Sequence, residues 1–356
     1  FWLKPCWINL RVCDHTAPDM GREERFPSTG YTPPRACWLC YVLVAVVFVF
    51  VNAVPQHSNP WHNGLLASIE STLVVFGFSY VYRNTSVYDP FWCWYPLFAA
   101  VGWMASATSA PSARGWYTLA LIVIWIARYN ISWPWEGWHH GLSTEDWRYI
   151  MMAKRLGLAD SVGWRYWLIV SLLGCHIIPT LLVWIVLGPV QEVWTKGISA
   201  PAFGPLDVIA ITLSLHGLTL QMVSDRTLRI FRQRSMSAKA AQSFETQVCS
   251  QICREGPWSY SRHPNYLGEV LFWIGMDVAA LASGGPGWAW TVAGILSYAG
   301  FFRVSSSLMD KRSLAHRPGY ALVMEEVNAL FPCPLSIDSA IDKVLIGHMK
   351  PGTLAD

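Results

Sequence analysis

Charge is what this chain is short of. Only 14% of its 356 residues are Asp, Glu, Lys or Arg, against about 25% in an ordinary soluble domain, while 53% are hydrophobic. That shortage argues against a water-soluble enzyme. The net charge of +3 supplies no basic field, so no nucleic-acid partner is expected. No glycine-rich phosphate loop of the dinucleotide or P-loop type occurs, so a nucleotide would have to be held by side chains and a helix mouth. Cys37-x2-Cys40 and Cys249-x3-Cys253 each resemble half a zinc site, but no second half has matching spacing, and no metal is expected. Residues 1–33 are mixed in charge, rich in proline, and lack the apolar core of a signal peptide.

What the chain has instead is long apolar runs and 21 tryptophans. About 20 apolar residues cross a bilayer core of about 30 Å. Eight stretches meet or approach that length: Ala36–Val54, Leu65–Tyr82, Phe91–Thr108, Trp116–Ile131, Trp164–Leu187, Leu206–Val223, Tyr266–Ala282 and Trp288–Phe302. The third, fourth and last are short or tryptophan-rich, so the expectation is an all-α polytopic membrane protein with 7–8 transmembrane helices. Pro179 should kink the fifth. Eight spans put all but Arg114 and Lys196 of the 26 lysines and arginines on one side. Basic residues mark the cytosolic side, which places both termini and every long loop on that side or its topological equivalent. The organisation read from this is an extramembrane segment (1–35), a transmembrane domain (36–334) and a C-terminal surface tail (335–356).

Chemistry-bearing residues gather on that same side. Trp258-Ser259-Tyr260-Ser261-Arg262-His263-Pro264-Asn265-Tyr266-Leu267-Gly268-Glu269 runs directly into an apolar segment. Pro264 suits the first turn of a helix, so the polar groups should stand at a helix mouth, where free N–H groups favour an anion. Asp225-x3-Arg229-x2-Arg232 places one carboxylate and two guanidiniums on one helix face, a donor set suited to phosphate. The plainer alternative is that these arginines snorkel to lipid headgroups. The loop at 132–163 carries Trp133, Trp135, Glu136, Trp138, His139, His140, Glu145, Asp146 and Arg148. Its adjacent histidines diverge on a helix and read as solvated. Within the apolar runs, Glu70, Asp277, His176 and His216 are the costly polar residues. Glu70, beside Ser68, Ser71 and Thr72, is expected to face a cavity or a helix–helix hydrogen bond.

Together these motifs resemble the steroid 5α-reductase-like membrane proteins, in particular the DUF1295 branch. Ser259 to Glu269 resembles their signature. Ser86-Val87-Tyr88-Asp89-Pro90-Phe91-Trp92, Glu145-Asp146-Trp147-Arg148-Tyr149, the Asp225/Arg229/Arg232 helix end and Arg317-Pro318-Gly319-Tyr320 resemble further family elements, in the family's order. The resemblance implies an NADPH-binding helical fold that reduces a carbon–carbon double bond in a lipophilic substrate reached from the bilayer. Carried over, it gives Gln221, Asp225, Arg229, Arg232, Arg262, His263, Asn265, Tyr266, Glu269 and Arg303 as cofactor-binding residues. Gln221 stands where the steroid reductases have Asn, and Ser306-Ser307 where they have a His pair. The catalytic acid would be Glu70 or a phenol such as Tyr80 or Tyr129. The implied location is the endoplasmic reticulum, with an organellar inner membrane as the alternative. Two rival readings remain: an S-adenosylmethionine-dependent isoprenylcysteine-type methyltransferase, and an idle structural subunit contacting other subunits of a larger membrane complex.

Overall fold

The computed structural model describes residues 30–54, 59–106, 110–132, 141–142, 145–158, 163–239, 252–285, 288–317 and 319–346. The tryptophan- and histidine-rich stretch from Trp133 to His140, including Glu136, and most of the extramembrane segment lie outside them. Among the described residues the chain is helical, with no strand and one isolated bridge between Thr32 and Leu142.

The helices are α1 (Pro34–Ala53), α2 (Pro60–Val81), α3 (Tyr88–Ser106), α4 (Ala113–Ser132), α5 (Trp147–Arg155), α6 (Ile178–Lys196), α7 (Pro205–Lys239), α8 (Pro264–Ala282), α9 (Trp288–His316), α10 (Tyr320–Glu326) and α11 (Leu335–Ile346). Every expected span therefore coincides with a helix. Among the described residues four helices are long and apolar enough to cross a membrane on length and composition alone: Pro34–Ala53, Pro60–Val81, Tyr166–Ser199 and Pro205–Ser235. The remaining helices at expected spans are rich in aromatic residues or carry charge, as with Arg114 and Arg128 in α4 and Glu269 and Asp277 in α8. Helix starts follow the local chemistry. Asn59 caps α2 by accepting the Trp61 N–H at 2.9 Å, with Pro60 in the first turn, and Asp146 caps α5 through the Arg148 N–H at 2.9 Å.

The described residues form two compact units, Phe1–Asp207 with Ala279–Gly294 and Val208–Val278 with Ile295–Asp356. In the first, α1 packs along α2 and α3, and α6 packs on α2 and α3. Its interior is laced with hydroxyl pairs. Thr72 and Thr180 share a hydrogen bond of 2.7 Å, Tyr88 and Thr180 one of 2.8 Å, and Ser68 is bonded to Tyr95. In place of a simple kink at Pro179, residues Tyr166–Ile177 wind as a π-helix that passes into α6. Pro179 has no N–H for the carbonyl one turn back, and the His176 ring bonds the Ser171 carbonyl at 2.7 Å, five residues earlier. The other ring nitrogen of His176 lies 2.9 Å from Ser79 Oγ. Cys37, Cys40, Cys93 and Cys175 are buried.

A second polar cluster lies where the 84–89 turn meets the start of α5. Glu145 accepts the Thr85 N–H at 2.9 Å and the Tyr166 hydroxyl at 3.2 Å. Asp146 takes the Arg148 guanidinium at 2.8 and 2.9 Å, and Asp89 accepts the Tyr149 hydroxyl. Burial pushes the Glu145 carboxyl up to about 8, with its hydrogen bonds opposing.

Candidate cofactor-binding site

In the second unit, α7 and α8 cross at backbone contact. A Cβ on Gly217 would stand 2.5 Å from the Gly268 carbonyl oxygen, and one on Gly275 would strike Ser214. Only glycine admits this approach. The crossing presses the α7 stripe of Gln221, Asp225 and Arg229, spaced four apart, toward the start of α8. Trp258 Nε1 donates to the Ser224 carbonyl at 2.9 Å, fixing the turn before α8 against the same stripe.

As expected, α8 starts at Pro264, with Tyr266 and Leu267 donating to the His263 carbonyl at 3.0 and 3.1 Å. Asn265 spends its carboxamide on both sides: Oδ1 accepts the Tyr266 N–H at 3.1 Å and Nδ2 donates to Asp225 at 3.3 Å. Gln221 is 0% exposed, and among the described residues neither its amide oxygen nor its amide nitrogen has a hydrogen-bond partner. Arg229 Nε is likewise buried without one. Leaving a buried polar group unsatisfied costs roughly 1–3 kcal/mol, so both groups on this stripe call for a water or a ligand.

The structure assigns Arg262, His263 and Arg303 different surroundings from the ligand-facing ones expected. Arg262 is closed off by protein acceptors. Its guanidinium reaches Asp342 at 2.6 Å, Asp310 at 3.1 Å and Asp338 at 3.3 Å, and donates to the Val327 and Met324 carbonyls at 2.9 and 3.2 Å. Arg303 bonds Asp342 at 2.7 Å, Asp338 at 3.0 Å and Ser307 at 2.6 Å. His263 Nε2 lies 2.8 Å from Asp310, which also accepts the Tyr320 hydroxyl at 2.6 Å. Burial alone would raise the Asp310 carboxyl, but His263 and Arg262 beside it hold it below the usual carboxylate range.

Two further cofactor candidates also have internal partners. The Tyr266 ring stacks on His263 at 5.3 Å and meets Phe302 at 5.0 Å. Glu269, 0% exposed, accepts Trp273 Nε1 at 2.9 Å and the Tyr298 hydroxyl at 3.0 Å. Arg232 is half-buried on the α7 face. Gln221, Asp225 and Arg229 thus share one α7 stripe, with Asn265 bonded to Asp225, while Arg262, His263 and Arg303 belong to a network that holds the loop. The three acids of that network, Asp310, Asp338 and Asp342, were not singled out from sequence as its partners. The signal was the i, i+4 acid pair in Leu335–Ile346.

The expected catalytic residues sit in the first unit. Ser68, Ser71 and Thr72 are buried, whereas Glu70 is exposed on the opposite side of α2. Its expected cavity-facing position is therefore not the one observed. Tyr129 is buried among Trp125 and Trp92, at 4.7 and 5.1 Å, with the Arg128 guanidinium 4.2 Å over its ring. Asp277, also flagged from sequence, is 4% exposed in α8 with its Oδ2 unpartnered.

The comparisons with known proteins agree with the motif reading at the level of family. The family model described as "Protein of unknown function (DUF1295)" matches residues 75–325. An uncharacterized protein of Schizosaccharomyces pombe (C594.04c) is 24% identical over 290 residues, covering 78% of this chain and 80% of its own length. No solved structure matches. The match spans the polar cluster at 85–89, the α7 stripe, the α8 mouth and Asp310 but not Asp338 or Asp342, and the chain belongs to the DUF1295 family of steroid 5α-reductase-like membrane proteins.

Proposed function

We propose that this protein is a membrane-embedded, NADPH-dependent reductase of a carbon–carbon double bond in a lipid or steroid-like substrate. The observation that carries the reading is the buried, unpartnered pair of Gln221 and Arg229 Nε beside Asp225 and Asn265. An amide with a free donor and a free acceptor suits a nicotinamide or adenine edge. A guanidinium four residues from a carboxylate suits the phosphate and ribose of a dinucleotide. Arg262 and Arg303 are left out of this assignment, because carboxylates already meet their charge. Their part is to hold His263 and the α8 mouth in place.

Bound there, NADPH would supply a hydride to a double bond conjugated to a carbonyl. The chain's share of the chemistry is an acid that hydrogen-bonds the carbonyl oxygen and excludes water. With Glu70 exposed, the deep acid assigned is Asp277. It lies twelve residues along α8 from Asn265, about 18 Å at 1.5 Å per residue, inside the apolar part of the helix. The residue is 4% exposed and its Oδ2 is open, which places it to hydrogen-bond a substrate carbonyl oxygen.

The same proposal has all eight helices crossing the bilayer, with both termini and the α8 mouth on the cytosolic side of the endoplasmic reticulum and a lipophilic substrate entering from the bilayer. The test is thermal stabilisation of the purified protein by NADPH and by S-adenosylmethionine. NADPH is expected to raise the melting temperature, and Arg229→Ala to abolish the rise. A rise with S-adenosylmethionine alone would replace the reductase with a methyltransferase. For the acid, Asp277→Asn is expected to lower kcat while leaving NADPH stabilisation unchanged; unchanged kcat would remove Asp277 from the assignment.

A further inference from the structure

Helix α11 is built inside out for a soluble surface. Its buried residues are the acids Asp338 and Asp342, while Ile337, Ile341 and Val344 are 52%, 37% and 83% exposed. Their i, i+4, i+7 spacing makes one apolar stripe. Ser336, Ser339 and Lys343, also exposed, fall on the far side of the helix from it. An ordinary amphipathic helix would bury the stripe and expose the acids.

The acids fix where this helix stands. Both bind Arg303, the residue that follows Phe302 at the end of the apolar run Trp288–Phe302. Both also bind Arg262, three residues before Asn265. Asn265 in turn bonds Asp225, just beyond the apolar stretch Leu206–Val223 of the membrane-length helix α7. The network therefore ties α11 to the level at which the apolar parts of α7 and α9 give way to charge. Exposed Met222, Val223 and Val304 mark the same level, and Lys343 adds a cation toward the polar side.

We propose that α11 is an interfacial helix whose Ile337, Ile341 and Val344 stripe lies in the lipid bilayer at the headgroup–acyl boundary. In-plane helices of this kind carry an apolar face toward the acyl chains and a polar or basic face toward water. The aspartate–arginine network is its tether, on the side facing the protein. The inference rests on the membrane-spanning reading of α7 and uses no cofactor, so it stands or falls separately from the reductase.

The test is site-directed spin labelling of the full chain in phosphatidylcholine–phosphatidylglycerol vesicles, with Cys6, Cys13, Cys249, Cys253 and Cys333 replaced by alanine. Labels are placed at Ile341→Cys, Val344→Cys and Ser339→Cys. Collision rates are then compared for oxygen, which concentrates in lipid, and a water-soluble nickel chelate. The oxygen-to-nickel ratio is expected to be several-fold higher at 341 and 344 than at 339. A ratio at 341 and 344 no higher than at 339 would overturn the proposal. So would protection of 341 from both reagents, which would assign the stripe to a protein partner or a second copy.

Discussion

Replacing Gln221 by methionine separates the two demands placed on the α7 stripe. Gln221→Met keeps side-chain length and flexibility while removing a donor and an acceptor that the fold leaves unpaired. In the absence of ligand, the native amide carries the cost of one unsatisfied buried polar group, roughly 1–3 kcal/mol. The variant is therefore expected to be more stable than the native protein, by about 2–4 °C in melting temperature per kcal/mol on the scale of a domain of 150–250 residues. With NADPH the order reverses. Two lost hydrogen bonds at roughly 0.5–1.5 kcal/mol each weaken binding by about five- to 150-fold at 1.4 kcal/mol per factor of ten. The assay is a pair of melting curves, with and without NADPH, for the native protein and the variant. A less stable variant that kept its full NADPH shift would refute the reasoning, because it would mean that Gln221 serves the fold and not a ligand.

Asp310→Asn is expected to destabilise the protein by about 3–5 kcal/mol, as removal of one partner from a buried ion pair does, since it removes a carboxylate that faces both Arg262 and the His263 ring; denaturant titration measures it. Because the Asp310 carboxyl is held below its ordinary 3.8, its contribution is complete above that value and is lost only as pH falls below it. Glu145 has the opposite sign. Its folded carboxyl is raised from 4.5 to about 8, so the folded state holds a proton that the unfolded state releases. Stability then falls between those values by up to about 1.4 kcal/mol per pH unit and levels off above the upper one. Glu145→Gln should flatten that slope in unfolding curves measured from pH 5 to 8, and an unchanged slope would reassign it to another group.

Much of this architecture was legible because membrane helices and their starts depend on local features. Apolar length located every helix at an expected span, and Pro264 located the start of α8 to the residue. The face of α2 was legible too, had periodicity been weighed over composition. Asn63, Ala67, Ser71 and Val75 repeat at four, Ser68, Thr72 and Ser79 fall on the same side, and all are buried. Glu70 is out of phase with that series. What sequence could not supply was the destination of each arginine. Arg229 and Arg262 are the same residue type on the same side, yet one has an unpartnered Nε and the other faces three carboxylates. Two of those acids come from α11, which a reading for span length assigns to a tail because it is short. The π-helix before Pro179 was equally hidden, since a proline announces a disturbance but not its form.

The aspartate tether also has an order in time. Synthesis runs from the N-terminus, so Arg262 and Arg303 leave the ribosome 80 and 39 residues before Asp342. During insertion these arginines are bare cations flanking the last two apolar segments, free to hold those segments' ends on one side of the bilayer. Asp310 follows Arg262 by 48 residues and meets that cation first, whereas Arg303 gains its carboxylates only when α11 emerges. A truncation before Leu335 would therefore leave a chain whose segments insert correctly but in which Arg303 has lost both carboxylates and Arg262 keeps Asp310 alone, a defect of maturation and not of targeting.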